Sequence, residues 1–379
     1  MSKSETTVLV LQGGGALGAY QAGAYQQLAE ERFEPDWVAG ISIGAINAAI
    51  ICGNPPELRR DRLEAFWDAV VTDPWPASWL LGAVFRQTYR EVAAATVMAT
   101  GVPGFFRPRN PAQFLLVGCP QPLSVYDTQP LHDTLQALVD FDYLNEKGPR
   151  LSVGAVDVLT GNFAYFDSAK QRIGPEHIMA SGALPPGFPP VEIDGRFYWD
   201  GGMVSNTPLQ FVMENAQADP LCIFQIDLFS ARGALPGNLA DVQQREKDIR
   251  YSSRTRLTTD RYRQLHDISR AAERLAQKLP KEFQSDADLA LLREAGPRCA
   301  VALVHLIHRR EGFETNSKDY EFSRLSKRQH WSAGVDDVGR TFAHEDWRSR
   351  KIGKDGLQVF DLASERSKNN KKELEHENR

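Results

Sequence analysis

The first fifty residues alternate between two kinds of segment, and that alternation limits the folds open to the chain. Val8 to Leu11 is an unbroken run of Val and Leu that ends at Gln12 and three glycines, the pattern of a buried parallel strand. Ala16 to Glu30 carries Ala, Leu and Gln without proline and reads as a helix. Asp36 to Ile41 reads as a second strand. Ile43 to Ile51 reads as a second helix that stops at Gly53-Asn54-Pro55-Pro56. Strand, helix, strand, helix in that order predicts right-handed crossovers and a parallel sheet of the α/β class.

The same reading continues less regularly. Pro74 to Pro130 mixes prolines and glycines with Trp75, Trp79, Phe85, Phe105 and Phe106, either an acyl-facing lid or ordinary core. Leu151 to Asp167 reads as a hairpin turning at Thr160-Gly161-Asn162, and Val191 to Trp199 as a strand pair around Asp194-Gly195. Asn206-Thr207-Pro208 reads as a helix start with the proline just inside, and Leu221 to Leu228 as a buried strand. After Phe229 the chain changes character. A small-residue linker, Ser230 to Asn238, leads into a charged helical region that runs to about Leu279. There Leu265, Ile268, Ala272, Leu275 and Leu279 fall on one helical face. Ala300 to Ile307 reads as one more strand, and the charged end from Glu365 as disordered. These changes divide the chain into 1–228, an extension at 229–364 and a tail at 365–379.

With 42% hydrophobic and 25% charged residues, 379 in all, the chain has ample material for a globular core. Its net charge of −5 provides no global attraction to nucleic acid or anionic membrane. Cys52, Cys119, Cys222 and Cys299 lack metal or redox spacing and read as thiols in a reducing compartment. The start, MSKSETTVLVLQGGG, has no basic region and too short an apolar run for a signal peptide. No stretch reaches the length of a membrane span. The expectation is a cytoplasmic protein whose contact with a membrane is peripheral.

Three motifs carry chemistry. Gly13-Gly14-Gly15-Ala16-Leu17-Gly18 follows a strand and opens a helix, where successive backbone N–H groups can hold a phosphate or an oxyanion. Alone, it also spells the dinucleotide fingerprint. Gly40-Ile41-Ser42-Ile43-Gly44 is a G-x-S-x-G elbow between a strand and a helix, which exposes a serine on a sharp turn. Asp200-Gly201-Gly202 follows the strand-like Arg196 to Trp199, and is either a turn at a strand end or an acid held in an unusual backbone position. About one βα unit plus a strand separates Gly15 from Ser42, since a βαβ unit takes roughly thirty residues. Loop and serine therefore fall at the same edge of two parallel strands.

GGGALG, GISIG and DGG in this order, with Ala180-Ser181-Gly182-Ala183-Leu184-Pro185 ahead of the acid, resemble the patatin-like phospholipases over roughly Val8 to Leu228. The resemblance implies a three-layer α/β/α fold with a mainly parallel central sheet, followed by a partly helical C-terminal extension similar to one on some bacterial members. It implies a lipid acyl hydrolase with Ser42 as nucleophile, Asp200 as its base and the amides of Gly13, Gly14 and Gly15 as the oxyanion hole. Gly18, Gly40, Gly44, Gly201 and Gly202 would support these motifs. The partner would be a lipid or other acyl ester, with no nucleic acid, metal or cofactor. Where the family often has a basic residue in the glycine loop, this chain has Leu17. An aspartate of ordinary pKa, about 3.9, is a weak base, so the scheme requires a desolvated carboxylate.

Other readings compete. His266, His305, His308, His330 and His344 follow Asp200, so a Ser-Asp-His order of the α/β-hydrolase kind fits arithmetically. A nucleotide-binding fold wants an acid at the end of the second strand, where this chain has Gly40-Ile41-Ser42. A non-catalytic scaffold that binds lipid or a partner is the third. Arg250, Arg254, Arg256, Arg261 and Arg263 read as a headgroup contact or as a solvated helix face.

Overall fold

The computed structural model describes residues 5–73, 83–114, 121–216, 220–253, 255–294, 299–309, 317–351 and 356–362. The chain opens with the predicted alternation. Strand β1 (Thr6–Leu11) leads through a single 3-10 turn (Gly15–Gly18) into α1 (Ala19–Glu30), and β2 (Trp37–Gly40) leads into α2 (Ile43–Cys52). Helix α3 (Pro56–Ala69) starts on the proline pair, as the missing proline N–H allows. Helix α4 (Ala83–Thr100) lies where the sequence read as irregular. Short strands β3 (Arg107–Pro108) and β4 (Tyr126–Asp127) pair antiparallel, ahead of α5 (Gln129–Leu138) and α6 (Phe141–Glu146). Phe105 and Phe106 are buried against Phe188, with Tyr126 against Phe106, so these two aromatics are core. Trp75, Trp79 and Cys119 lie outside the described residues.

Strands β5 (Arg150–Asp157) and β6 (Phe163–Asp167) form the expected hairpin, and α7 (Pro175–Ser181) follows. Strands β7 (Val191–Ile193) and β8 (Arg196–Asp200) turn at Asp194 and Gly195, both at positive φ. Helix α8 (Leu209–Glu214) begins one residue later than expected, with Pro208 as its N-cap. Strand β9 (Leu221–Asp227) is buried throughout. Then come α9 (Leu239–Tyr251), α10 (Thr255–Ala276), α11 (Ala287–Glu294), β10 (Val301–Ile307), α12 (Arg324–Ala343), α13 (Glu345–Arg348) and β11 (Leu357–Phe360).

Among the described residues nine strands form one sheet in the order β11-β10-β9-β1-β2-β5-β8-β7, with β6 also paired to β5. From β11 across to β5 every neighbour is parallel, and β6, β7 and β8 enter antiparallel. Apolar side chains of alternate parity face opposite sides. Leu9, Leu11, Phe224 and Ile226 join one cluster with α1 and α2, while Val8, Val10, Leu221 and Ile223 join another with α8 and Tyr262 of α10. Helices therefore cover both faces, the three-layer architecture expected. The sheet runs across the 228/229 boundary, because β10 and β11 extend it beyond β9.

Helix α12 packs directly on α1. A Cβ at Gly23 would strike the carbonyl of Trp331, and one at Gly334 would strike the carbonyl of Tyr20, so two glycines set the close approach of the backbones. Tyr20 is buried there with its hydroxyl donating to Asp337 at 2.7 Å. In α10 the face differs from the one read in sequence. Tyr262, Ser269, Ala272 and Ala276 are buried, while Ile268 and Leu275 are exposed. Ala272 belongs to both faces; hydrophobicity favoured Ile268 and Leu275, whereas the buried side adds Tyr262 and the small Ser269 and Ala276, which allow close contact. The 365–379 tail lies outside the described residues.

Candidate active site

The sheet register brings the motifs together. Leu11 pairs with Gly40, and Gly40 with Val153, so the ends of β1 and β2 and the middle of β5 share one row. Asp200, at the end of β8, pairs with Ala155 two residues further along β5. Strand β1 has β2 on one side and β9 on the other, the point where the chain reverses its direction across the sheet. Ligand sites in open α/β sheets form beyond the carboxyl ends of strands at such a point.

Ser42 is the N-cap of α2 and has φ 56, ψ −123, a strained conformation for a residue with a side chain. Two contacts allow the turn. A Cβ at Gly40 would strike the backbone of Gly44, and a Cβ at Gly44 the carbonyls of Leu11 and Gln12. The Ser42 N–H donates to the Ser181 hydroxyl at 3.1 Å, and that hydroxyl donates to the Gly154 carbonyl at 2.7 Å. Ser181 thereby ties the strained turn to β5.

Asp200 is 2% exposed. Its carboxylate accepts from the Gly202 N–H at 2.7 Å and interacts with the Ser42 side chain. Burial pushes its pKa up to about 6, and the contacts from Ser42 and Gly202 pull it partly back. Among the described residues no histidine acts on this carboxylate. Gly201 lies against the Gly154 carbonyl, and Gly202 beside Asn206 and the Asp200 carboxylate. His305 sits in β10, its pKa lowered to about 4 by burial, and His266 lies against Gly356.

Gly13 is adjacent to both Ser42 and Asn206, and Gly18 to Ile43 and Trp67. The Gly13 N–H donates to the Asn206 carbonyl at 3.2 Å. This differs from its expected place among the oxyanion donors, because the amide already has an acceptor. Among the described residues the N–H groups of Gly14 and Gly15 have none. Gly15 has φ 55, and a Cβ there would strike the carbonyl of Asp319, which accepts from the Ala16 N–H at 2.8 Å. The loop is therefore held from the C-terminal part of the chain.

Sequence reasoning missed Asn206. Its Nδ2 donates to the Gly13 carbonyl at 3.0 Å and to the Tyr251 carbonyl at 2.9 Å. Asn206 thus joins the glycine loop, the acid's loop and the end of α9. In the sequence it is legible only as part of an Asn-Thr-Pro helix start. Gln12 was read only as the end of a strand, yet its side chain accepts from the N–H groups of Leu228 and Phe229 at 2.6 and 2.8 Å.

A serine at a strained elbow, a buried carboxylate against it and loop amides with no acceptor among the described residues lie together at the carboxyl edge of an α/β sheet. Residues 9–213 match the family described as patatin-like phospholipase, and the chain belongs to that family. Residues 249–353 match a second family model, described as patatin phospholipase. The protein is a lipid hydrolase by this membership. No curated protein matches the chain. Among solved structures, VipD from Legionella pneumophila is 14% identical, covering 87% of this chain and 67% of that one, with a TM-score of 0.34. ExoU in its complex with SpcU, from the type III secretion system of Pseudomonas aeruginosa, is also 14% identical. It covers 90% of this chain and 76% of that one, with a TM-score of 0.29. Both likenesses are distant.

Proposed function

We propose that the protein cleaves fatty-acyl esters of lipids through a Ser42–Asp200 dyad and an acyl-enzyme. The observation that carries this reading is the Asp200 carboxylate, fully buried against the Ser42 side chain with a pKa of about 6. At neutral pH such a group is mostly ionised yet basic enough to accept a proton. Ser42 Oγ attacks the ester carbonyl carbon as Asp200 takes its proton. The resulting oxyanion receives the N–H groups of Gly14 and Gly15 and the partial positive charge at the start of α2. The carbon–oxygen bond to the alcohol breaks, and Asp200 returns the proton to that alcohol. Water then attacks the acyl-serine with Asp200 again as base, releasing the fatty acid and restoring Ser42. In this reading Gly13 supports the loop, its N–H given to the Asn206 carbonyl rather than to the oxyanion.

The catalytic residues of this proposal lie within 1–228, and the glycine loop is held from the extension by Asp319 directly and by Tyr251 through Asn206. No described helix is long and apolar enough to cross a membrane. In this reading a cytoplasmic protein meets its lipid from the side. The test is hydrolysis of a lipid ester and a soluble short-chain ester by Ser42→Ala and Asp200→Asn, with fluorophosphonate labelling of the parent. Loss of both activities and labelling at Ser42 is expected. Near-normal turnover by either variant ends the dyad proposal.

A further inference from the structure

Helix α9 is amphipathic in the inverted sense. Its inward face is polar: Gln244 is 2% and Asp248 8% exposed. Its apolar side chains point to solvent: Leu239 is 73%, Val242 49% and Ile249 58% exposed. The polar face has partners that explain the orientation. Gln244 Nε2 donates to Asp248 Oδ1 at 3.0 Å, Lys318 Nζ pairs with the same oxygen at 2.9 Å, and Lys247 pairs with Asp319 at 2.8 Å. Asp319 is the residue whose carbonyl holds Ala16 of the glycine loop. At the other end, the Tyr251 carbonyl receives Asn206. The helix is thus fixed to the rim of the proposed active site by its charges, which leaves its apolar stripe uncovered.

A soluble helix ordinarily turns its apolar stripe inward, so an outward stripe marks a surface with an occupant. We infer that α9 docks the protein on a zwitterionic lipid surface, with Leu239, Val242 and Ile249 entering the acyl boundary beside the catalytic opening. The inference rests on the lipid-ester reading, which puts the substrate in such a surface. Three further observations favour this occupant. Val242 and Ile249 line a shallow groove of about 380 Å³ beside Arg245, whose head is held by the Ser230 and Ala231 carbonyls, and Arg250, which pairs with Glu246, so the cations next to the stripe are already neutralised within the protein. The helix carries three cations, Arg245, Lys247 and Arg250, against three anions, Asp241, Glu246 and Asp248, so it has no preference for anionic headgroups. Met203 and Val204 are exposed on the loop that joins Asp200 to Asn206, and Asn206 is bonded to the Tyr251 carbonyl at the end of α9. A helix of this kind lies in the interface plane with its apolar side immersed.

The experiment is sedimentation of the full chain with phosphatidylcholine vesicles, in the Ser42→Ala background so that hydrolysis plays no part. The Ser42→Ala protein should pellet with the vesicles. Combining Leu239→Ser, Val242→Ser and Ile249→Ser should weaken pelleting roughly tenfold or more, with unchanged circular dichroism. Val242→Trp should strengthen it, with no pelleting when vesicles are left out and with unchanged circular dichroism. Doping the vesicles with phosphatidylglycerol should change little. The inference is overturned if Ser42→Ala stays in the supernatant, if the triple variant pellets equally, or if binding needs the anionic lipid. It is also overturned if the protein runs as a dimer that the triple variant dissociates, since a second copy would then cover the stripe. Soluble-ester hydrolysis by the parent tests the dyad separately, so either reading can fail without the other.

Discussion

Replacing Asp200 by asparagine should stabilise the protein at neutral pH while abolishing ester hydrolysis. The carboxylate is fully buried, and burial holds its pKa at about 6 against an ordinary value of 3.8. At about 1.4 kcal/mol per pH unit, that difference corresponds to up to about 3 kcal/mol by which ionised Asp200 disfavours the folded state. The sign follows from the proton. Below the unfolded value both states hold it, and parent and variant are alike. Between the two values the folded state keeps a proton that the unfolded chain has released, so parental stability falls as pH rises. Above about 6 the full deficit is present. Asparagine has no charge to bury, keeps an oxygen for the Gly202 N–H and offers Ser42 a donor. Urea unfolding of both proteins at roughly pH 8 and again near pH 4 measures the effect. The expected result is a higher midpoint for Asp200→Asn at the alkaline value and near coincidence at the acid one. An unchanged or lower midpoint at pH 8, or an equal gain at both pH values, would refute the claim that charge burial dominates at this position.

Three further outcomes are expected. The kcat/KM for a soluble ester should fall tenfold per pH unit below about pH 6, as Asp200 takes up its proton; a flat acid limb would remove it as the base. Ser181→Ala should lower kcat by about tenfold or more with little change in KM, because the Ser42 N–H loses its acceptor and the elbow its tie to β5; single-turnover kinetics at parental rates would show the tie to be dispensable. Gly334→Ala should destabilise the fold by about 2 kcal/mol or more, since its methyl group meets the carbonyl of Tyr20; a parental melting temperature would mean that α12 can move off α1 without penalty.

The parts of the fold legible in the sequence were those set by local pattern. The all-apolar run before the glycines, the elbow at Gly40-Ile41-Ser42-Ile43-Gly44 and the hairpins at Gly161 and Gly195 each combine a hydrophobic period with residues whose backbone freedom marks a turn. The close pairing of Gly23 with α12 and Gly334 with α1 was not legible, because a glycine inside a helical pattern gives no hint of which distant backbone it admits. Nor was the buried side of α10, where Ser269, Ala272 and Ala276 pack and bulkier Ile268 and Leu275 do not. The polarity of α9 was hidden for a related reason. Its buried charges gain partners from Lys318 and Asp319, about seventy residues on, and only the folded chain brings them near. Within the site, the order of motifs marked Ser42 and Asp200. That the Gly13 amide is engaged while those of Gly14 and Gly15 stay open depends on Asn206, which no spacing rule singles out.

The seam between β9 and β10 bears on any attempt to divide the molecule. A fragment ending at Leu228 would bare the outer edge of β9, a row of unsatisfied donors and acceptors in a strand with no polar gatekeeper before Gln225. It would also strip α12 from α1 and leave Gly15 without the Asp319 carbonyl that shapes its loop. Such a fragment invites edge-to-edge aggregation, whereas the two pieces produced together have a ready template for reassociation along that edge.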